Sequence, residues 1–231
     1  MNYASIRECD IANGEGVRVT VFVSGCTHRC KGCFNPDQWN FDYGKSFDRK
    51  VEDEILALLD KPFIAGLSIL GGEPMEPENQ RALVPFLRRF EDFRRKTKDK
   101  KTLWVYTGCV LEELRSCEVE KLRVSSSQPS QPSQPSRWRT EVTDEFLSYI
   151  DVLVDGPFVE ELKDISLQFR GSSNQRILHL RQLQNPVVGA FPRNAHARKW
   201  MNPLHSAHFT EMRPLGSEVL QLPHLKQERE N

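Results

Sequence analysis

Val17-Arg18-Val19-Thr20-Val21-Phe22-Val23-Ser24-Gly25-Cys26-Thr27-His28-Arg29-Cys30-Lys31-Gly32-Cys33-Phe34 joins two signals in one stretch. Its first seven residues are β-branched or apolar at almost every position, which predicts a strand. Ser24-Gly25 ends that strand and delivers the chain into a loop carrying three thiols within eight residues. A reactive loop at a strand exit means most in a fold that gathers several such exits at one edge of a sheet. The fold class therefore depends on whether more strands of this kind lie further along the chain.

They do, and helices alternate with them. Val51, Ile55, Leu58 and Leu59 share one face of a helix predicted over about 48–59, stopped by Lys61-Pro62. Residues 67–70 read as a short buried strand leaving through Gly71-Gly72-Glu73-Pro74. A helix over about 78–96 turns Leu83, Phe86, Leu87, Phe90 and Phe93 inward, with Pro85 expected to perturb its early part. Residues 103–106 form a third strand, leaving through Thr107-Gly108, and a short helix comes next near 111–117. A fourth strand, 150–154, leaves through Asp155-Gly156. This order predicts an α/β fold with a largely parallel sheet, whose ligands sit at the carboxyl ends of the strands.

Composition narrows the function. The chain has 231 residues, with Lys plus Arg equal to Asp plus Glu at 32 each. That balance gives no electrostatic reason to expect nucleic acid or an anionic membrane as partner. No apolar run approaches the roughly 20 residues of a membrane span, and residues 1–10 lack a secretory core. A cytoplasmic protein is expected. The core is expected within 1–182, interrupted at about 124–137 by a Ser/Gln/Pro-rich insertion in which Gln-Pro-Ser occurs three times. Residues 183–231 lack sustained apolar periodicity and are repeatedly broken by proline, which predicts a disordered tail with solvated histidines.

Of six cysteines, Cys9, Cys109 and Cys117 are scattered and read as small apolar residues or incidental thiols. Cys26, Cys30 and Cys33 are the candidate metal ligands and catalytic residues. Three thiolates hold three corners of a [4Fe–4S] cube and leave one iron open to a substrate. Gly25 and Gly32 permit a loop to wrap closely around such a cube. A structural zinc site, with Cys9, His28 or a distant cysteine as fourth ligand, is the other reading of the same triplet.

The later turns add candidate cofactor contacts. Gly71 and Gly72 let backbone approach a ligand, and the Glu73 carboxylate can accept from an ammonium. Glu73 can equally cap the next helix or pair with a nearby base. Asp155 can accept from ribose hydroxyls or an ammonium, or serve as a turn-forming Asp before glycine. Thr107 is a further candidate for a ribose.

The triplet, with aromatic Phe34 directly after it, resembles the radical S-adenosylmethionine superfamily, and Gly71-Gly72-Glu73-Pro74 resembles that superfamily's second motif. The resemblance implies an incomplete parallel β/α barrel, open on one side. It also implies one [4Fe–4S] cluster and S-adenosylmethionine as cofactors, with Gly32, Cys33, Phe34, Gly71, Gly72 and Glu73 at the cofactor. One electron from the cluster would cleave the sulfonium to a 5′-deoxyadenosyl radical. Four further segments are similar to those of activators of the anaerobic ribonucleoside-triphosphate reductase: Asn13-Gly14-Glu15-Gly16, Trp104-Val105-Tyr106-Thr107-Gly108, Asp151 to Phe158, and Phe169-Arg170-Gly171-Ser172-Ser173-Asn174-Gln175. The resemblance covers about residues 1–120 and 140–182. It implies a protein substrate, the glycine loop of the reductase's large subunit, and an external electron donor. Activation of another glycyl-radical enzyme, such as pyruvate formate-lyase, and a zinc-stabilised module without catalysis are the alternatives. Arg170 to Gln175 can hold a backbone segment, or can open a helix capped by Ser172 or Ser173 before Ile177-Leu178.

Overall fold

The computed structural model describes residues 1–115 and 136–181, all within one compact unit, Met1–Val187. Most of the predicted insertion, the predicted tail and Cys117 lie outside the described residues.

Among the described residues, seven strands form one sheet in the order β3-β1-β2-β4-β5-β6-β7. They are β1 (Asn2–Asp10), β2 (Val17–Val23), β3 (Lys45–Ser46), β4 (Ile64–Gly71), β5 (Thr102–Tyr106), β6 (Val152–Asp155) and β7 (Arg176–His179). The middle four, β2, β4, β5 and β6, are parallel neighbours. Antiparallel strands flank them, β1 and β3 on one side and β7 on the other. The α/β expectation is met at this level: a mixed sheet, mostly parallel in its middle.

The described residues include four α-helices: α1 (Arg49–Leu59), α2 (Pro77–Lys96), α3 (Leu111–Leu114) and α4 (Thr143–Tyr149). Asp48 caps α1 by accepting from Val51 N at 3.1 Å, satisfying a donor that the first helical turn leaves free. Pro85 does not interrupt α2, which runs continuously through it. The ring lies on the solvent face, where water can satisfy the carbonyl it frees.

Side-chain alternation divides the sheet into two faces. Val19, Val21 and Val23 of β2, Leu67 and Ile69 of β4, Leu103 and Val105 of β5, and Leu153 of β6 join one apolar core. Ile55 and Leu59 of α1, Phe86 and Phe90 of α2, and Phe146 of α4 complete it. The intervening residues, Arg18, Thr20, Ser68, Trp104 and Tyr106, belong to the other face. There Trp104, Val152 and Val154 form a smaller cluster with Tyr106, Phe169 and Ile177.

The Asp10–Gly16 turn folds onto this second face. Asp10 accepts from Ala12 N at 2.8 Å and Asn13 Nδ2 at 2.6 Å, and Ser68 Oγ donates to Asn13 O at 2.6 Å. Beneath it, fully buried Arg18 donates five hydrogen bonds, to Ser68 Oγ, Glu15 O, Thr102 Oγ1, Thr102 O and Leu67 O. Burial lowers its pKa to about 10, so the guanidinium stays charged at neutral pH.

The helix start considered before Ile177-Leu178 is corrected by the structure. Arg176–His179 is a strand paired with β6, through Leu153↔Leu178 and Val154↔Ile177. Leu178 packs on the large core and Ile177 on the small cluster. Two adjacent residues serving opposite faces require a period of two, which a helix does not offer. Ser172 caps no helix: its hydroxyl accepts from Val159 N at 3.2 Å.

Candidate metal centre

The exits of the four parallel strands converge. Cys26, Cys30, Cys33 and Phe34 come after β2, and Gly71, Gly72 and Glu73 stand at the end of β4. Tyr106, Thr107 and Gly108 lie at the end of β5, and Gly156 and Phe158 come after β6; together these line one cavity of about 150 Å³. All three clustered thiols are on its wall. Gly32 lies in the loop and Asp155 at the end of β6, but neither lines the cavity.

The cysteine loop is tied down by backbone and buried side chains. Gly25 N donates to Gln38 O at 2.9 Å and Cys26 N to Trp39 O at 3.2 Å, both carbonyls lying in the short 3-10 turn Pro36–Trp39. Glu76, just before α2, accepts from Thr27 N at 2.6 Å. Asn79, in the first turn of α2, donates to Ser24 O and Glu73 O, both at 2.9 Å. Gly25, Arg29 and Gly32 adopt positive φ of 93°, 49° and 69°, which coils the loop tightly.

The glycine turn lies directly against this loop. Gly72 N donates to Val23 O and Glu73 N to Gly25 O, both at 2.8 Å. A Cβ on Gly72 would lie 2.6 Å from Gly25 O, so this approach admits only glycine.

Glu73 is 1% exposed and fully engaged. Oε1 accepts from Met75 N at 2.8 Å and Thr107 Oγ1 at 2.7 Å. Oε2 accepts from Gly108 N at 2.8 Å and lies 2.9 Å from His28 Nε2. One carboxylate therefore joins the exits of β2, β4 and β5. Of the two simpler roles open to it, pairing with a base is present through His28. Capping is not, since the N-cap of α2 is Glu76 and Glu73 Oε1 accepts from Met75 N, ahead of the helix.

From the sequence, His28 is a candidate only as a zinc ligand. In the structure its ring stacks on Trp138, centroids 4.4 Å apart, and Cys109 Sγ lies 3.6 Å from Nε2. His28, Glu73 and Cys109 have the proximity of a metal-binding trio. Glu73's four hydrogen-bond contacts instead make it the centre of a polar network. No sequence signal marks Trp138 or Cys109 as its members, because they come from distant segments.

Asp155 is fully buried and does not line the cavity. It accepts from Leu111 N at 2.8 Å and Arg176 Nε at 2.8 Å. It thereby fixes the start of α3 and the start of β7. Phe34 stands at the cavity rim, 61% exposed, its ring 5.1 Å from that of Phe158.

Residues 12–178 match the family profile described as a 4Fe-4S single cluster domain. The anaerobic ribonucleoside-triphosphate reductase-activating protein of Pasteurella multocida is 40% identical over 184 residues, 79% of this chain and 99% of its own length. That of Escherichia coli K12 is 37% identical over 183 residues, 78% of this chain and 100% of its own. That of Enterobacteria phage T4 is 33% identical over 181 residues, 77% of this chain and 93% of its own. The sheet and its thiol-lined cavity are thus those of a single-cluster iron–sulfur protein. Within that class, the chain belongs to the family of anaerobic ribonucleoside-triphosphate reductase-activating proteins.

The donor set fits such a cluster. Cys26, Cys30 and Cys33 all line the one cavity, and burial, reinforced by the Glu73 charge, raises the Cys26 thiol to about 12; burial also raises Cys30. Thiols in such surroundings become thiolates only with a metal cation to neutralise them. Of the fourth ligands considered for zinc, Cys9 is exposed on β1, while His28 lines the same cavity with its Nε2 engaged 2.9 Å from Glu73 Oε2.

Proposed function

We infer that this protein activates the anaerobic ribonucleotide reductase by generating a glycyl radical on its large subunit. The observation that carries this reading is the cavity at the strand exits, lined by the three cysteines and by the glycine turn packed against their loop. A [4Fe–4S] cluster held by Cys26, Cys30 and Cys33 would supply the one electron for cleavage of S-adenosylmethionine to methionine and a 5′-deoxyadenosyl radical, the species that would take hydrogen from a glycine Cα.

The chain's own residues divide the work. Cys26, Cys30 and Cys33 hold the cluster. Gly32 lets the loop coil around it. Gly71 and Gly72 present backbone groups to the cofactor, and Phe34 flanks its adenine. Glu73 and Asp155, assigned from sequence to cofactor contacts, act here as positioning residues, because their carboxylates are occupied by the protein. The electron comes from an external donor in the cytoplasm. We further propose that the sheet is an incomplete β/α barrel, with residues 1–182 as the catalytic core and 183–231 as an appendage.

Anaerobic reconstitution tests the reading. About four irons and four sulfides per chain are expected. Incubation with the reductase, S-adenosylmethionine and a reductant should then produce a glycyl signal by electron paramagnetic resonance. One tightly held zinc without sulfide, or a loaded protein that gives no such signal, would overturn it.

A further inference from the structure

A second cavity, of about 340 Å³, adjoins the first and shares Phe34, Leu70, Tyr106, Phe158 and Gln175 with it. Its remaining wall includes Asn13, Leu167, Phe169 and Arg170. It opens on the polar face of the sheet, away from the helices.

Two polar atoms in this wall lack partners. Tyr106 Oη and Arg170 Nε are buried without a hydrogen bond among the described residues. The rest of the Arg170–Gln175 turn is closely paired. Arg170 Nη1 donates to Gln175 O at 2.8 Å, and Gln175 Oε1 accepts from Gly171 N at 2.8 Å and Ser172 N at 3.2 Å. Gln175 Nε2 donates to Gly156 O at 3.1 Å, and Asn174 Nδ2 to Pro157 O at 2.8 Å. The turn is therefore built before any partner arrives, with the buried Nε of the guanidinium left over. Buried polar groups without partners are rare because desolvation is costly, so this pair calls for a ligand.

We propose that Tyr106 and Arg170 are positioning residues that hold the polypeptide backbone of the substrate in this second cavity. The inference rests on the activase reading and deepens it. An arginine N–H suits a peptide carbonyl, and a tyrosine hydroxyl suits either peptide group. Among the described residues, Arg170 is the single charged side chain in the cavity wall. A wall otherwise made of Phe, Leu, Gly and neutral amides fits a neutral backbone segment. It does not offer the several cations that a phosphate or small acid requires. A glycine-bearing segment, with no side chain at its centre, suits a cavity lined by the rings of Phe34, Tyr106, Phe158 and Phe169.

The test uses the reconstituted, full-length protein with the anaerobic reductase. Three quantities are read: 5′-deoxyadenosine released without reductase, maximal glycyl signal, and the reductase concentration giving half that signal. Arg170→Lys keeps the charge but removes the Nε donor, and Tyr106→Phe keeps the ring but removes the hydroxyl. Each should raise the half-saturating concentration by about tenfold, the scale of one buried hydrogen bond. Arg170→Lys should leave the reductase-free release within about twofold, since Arg170 does not line the cysteine cavity. A peptide spanning the glycine loop should weaken in the same proportion. Unchanged half-saturation in both variants would overturn the assignment. So would loss of reductase-free cleavage in Arg170→Lys with a normal cluster spectrum, which would place Arg170 on the cofactor instead. If the unsubstituted protein released no 5′-deoxyadenosine, the activase reading itself would fail, taking this inference with it.

Discussion

The two faces of the sheet obey different rules. On the helix-covered face, Val19, Val21, Val23, Leu67, Ile69, Leu103 and Val105 form a purely apolar layer. On the other, buried positions of the same strands carry Arg18, Thr20, Ser68 and Trp104. The first face is held by area removed from water, which tolerates exchange among apolar residues of similar volume. The second is held by directional bonds, in which each group depends on a particular partner. Stability and chemistry are thus largely assigned to opposite sides of one layer only a strand thick.

Substitutions can break this division or sharpen it. The largest effect is expected at the strand exits: Cys30→Ala should lower S-adenosylmethionine cleavage by more than about 100-fold, with little change in unfolding of the metal-free chain. Normal cleavage by that variant would show that the ligand set is wrong. Phe86→Ala, on the helix side, should cost about 3–5 kcal/mol in denaturant unfolding. The cleavage rate per folded, loaded molecule should stay within about twofold; a larger drop would show that the faces are not separable. Arg18→Met should cost about 2–3 kcal/mol, because it strands buried oxygens of Ser68, Leu67 and Thr102. A neutral result there would mean that the polar layer is not needed for folding. Cys109→Ala should have the smallest effect, about 1 kcal/mol in stability, with iron content unchanged. Loss of iron would make Cys109 a ligand and redraw the boundary of the site.

The apolar face is legible in the sequence because alternation and helical periodicity record burial by water exclusion. The polar face is not. Nothing in the sequence marks Arg18 and Ser68 as partners; only long-range pairing brings Thr102 and the Asn13 carbonyl to them. β1 leaves little trace for a related reason: apart from its first and last few residues it is largely exposed, with two irregularities of register against β2. β7 resembles a helix start because two adjacent apolar residues after serines fit a capped turn as well as a strand. At the site, the cysteine triplet and the two glycines are readable from spacing. The division of labour between carboxylates is not. Glu73 and Asp155 both end strands, and only three-dimensional partners reveal that each is already committed.

Glu73 has a consequence for handling the protein. Its carboxylate fastens the cysteine loop to two neighbouring turns, so the loop cannot swing aside to release metal while those four contacts persist. Resistance to chelators should accordingly depend on a residue that touches no iron. Glu73→Ala is expected to bleach in the presence of a chelator faster than the parent protein, even where freshly assembled samples of the two share the same colour.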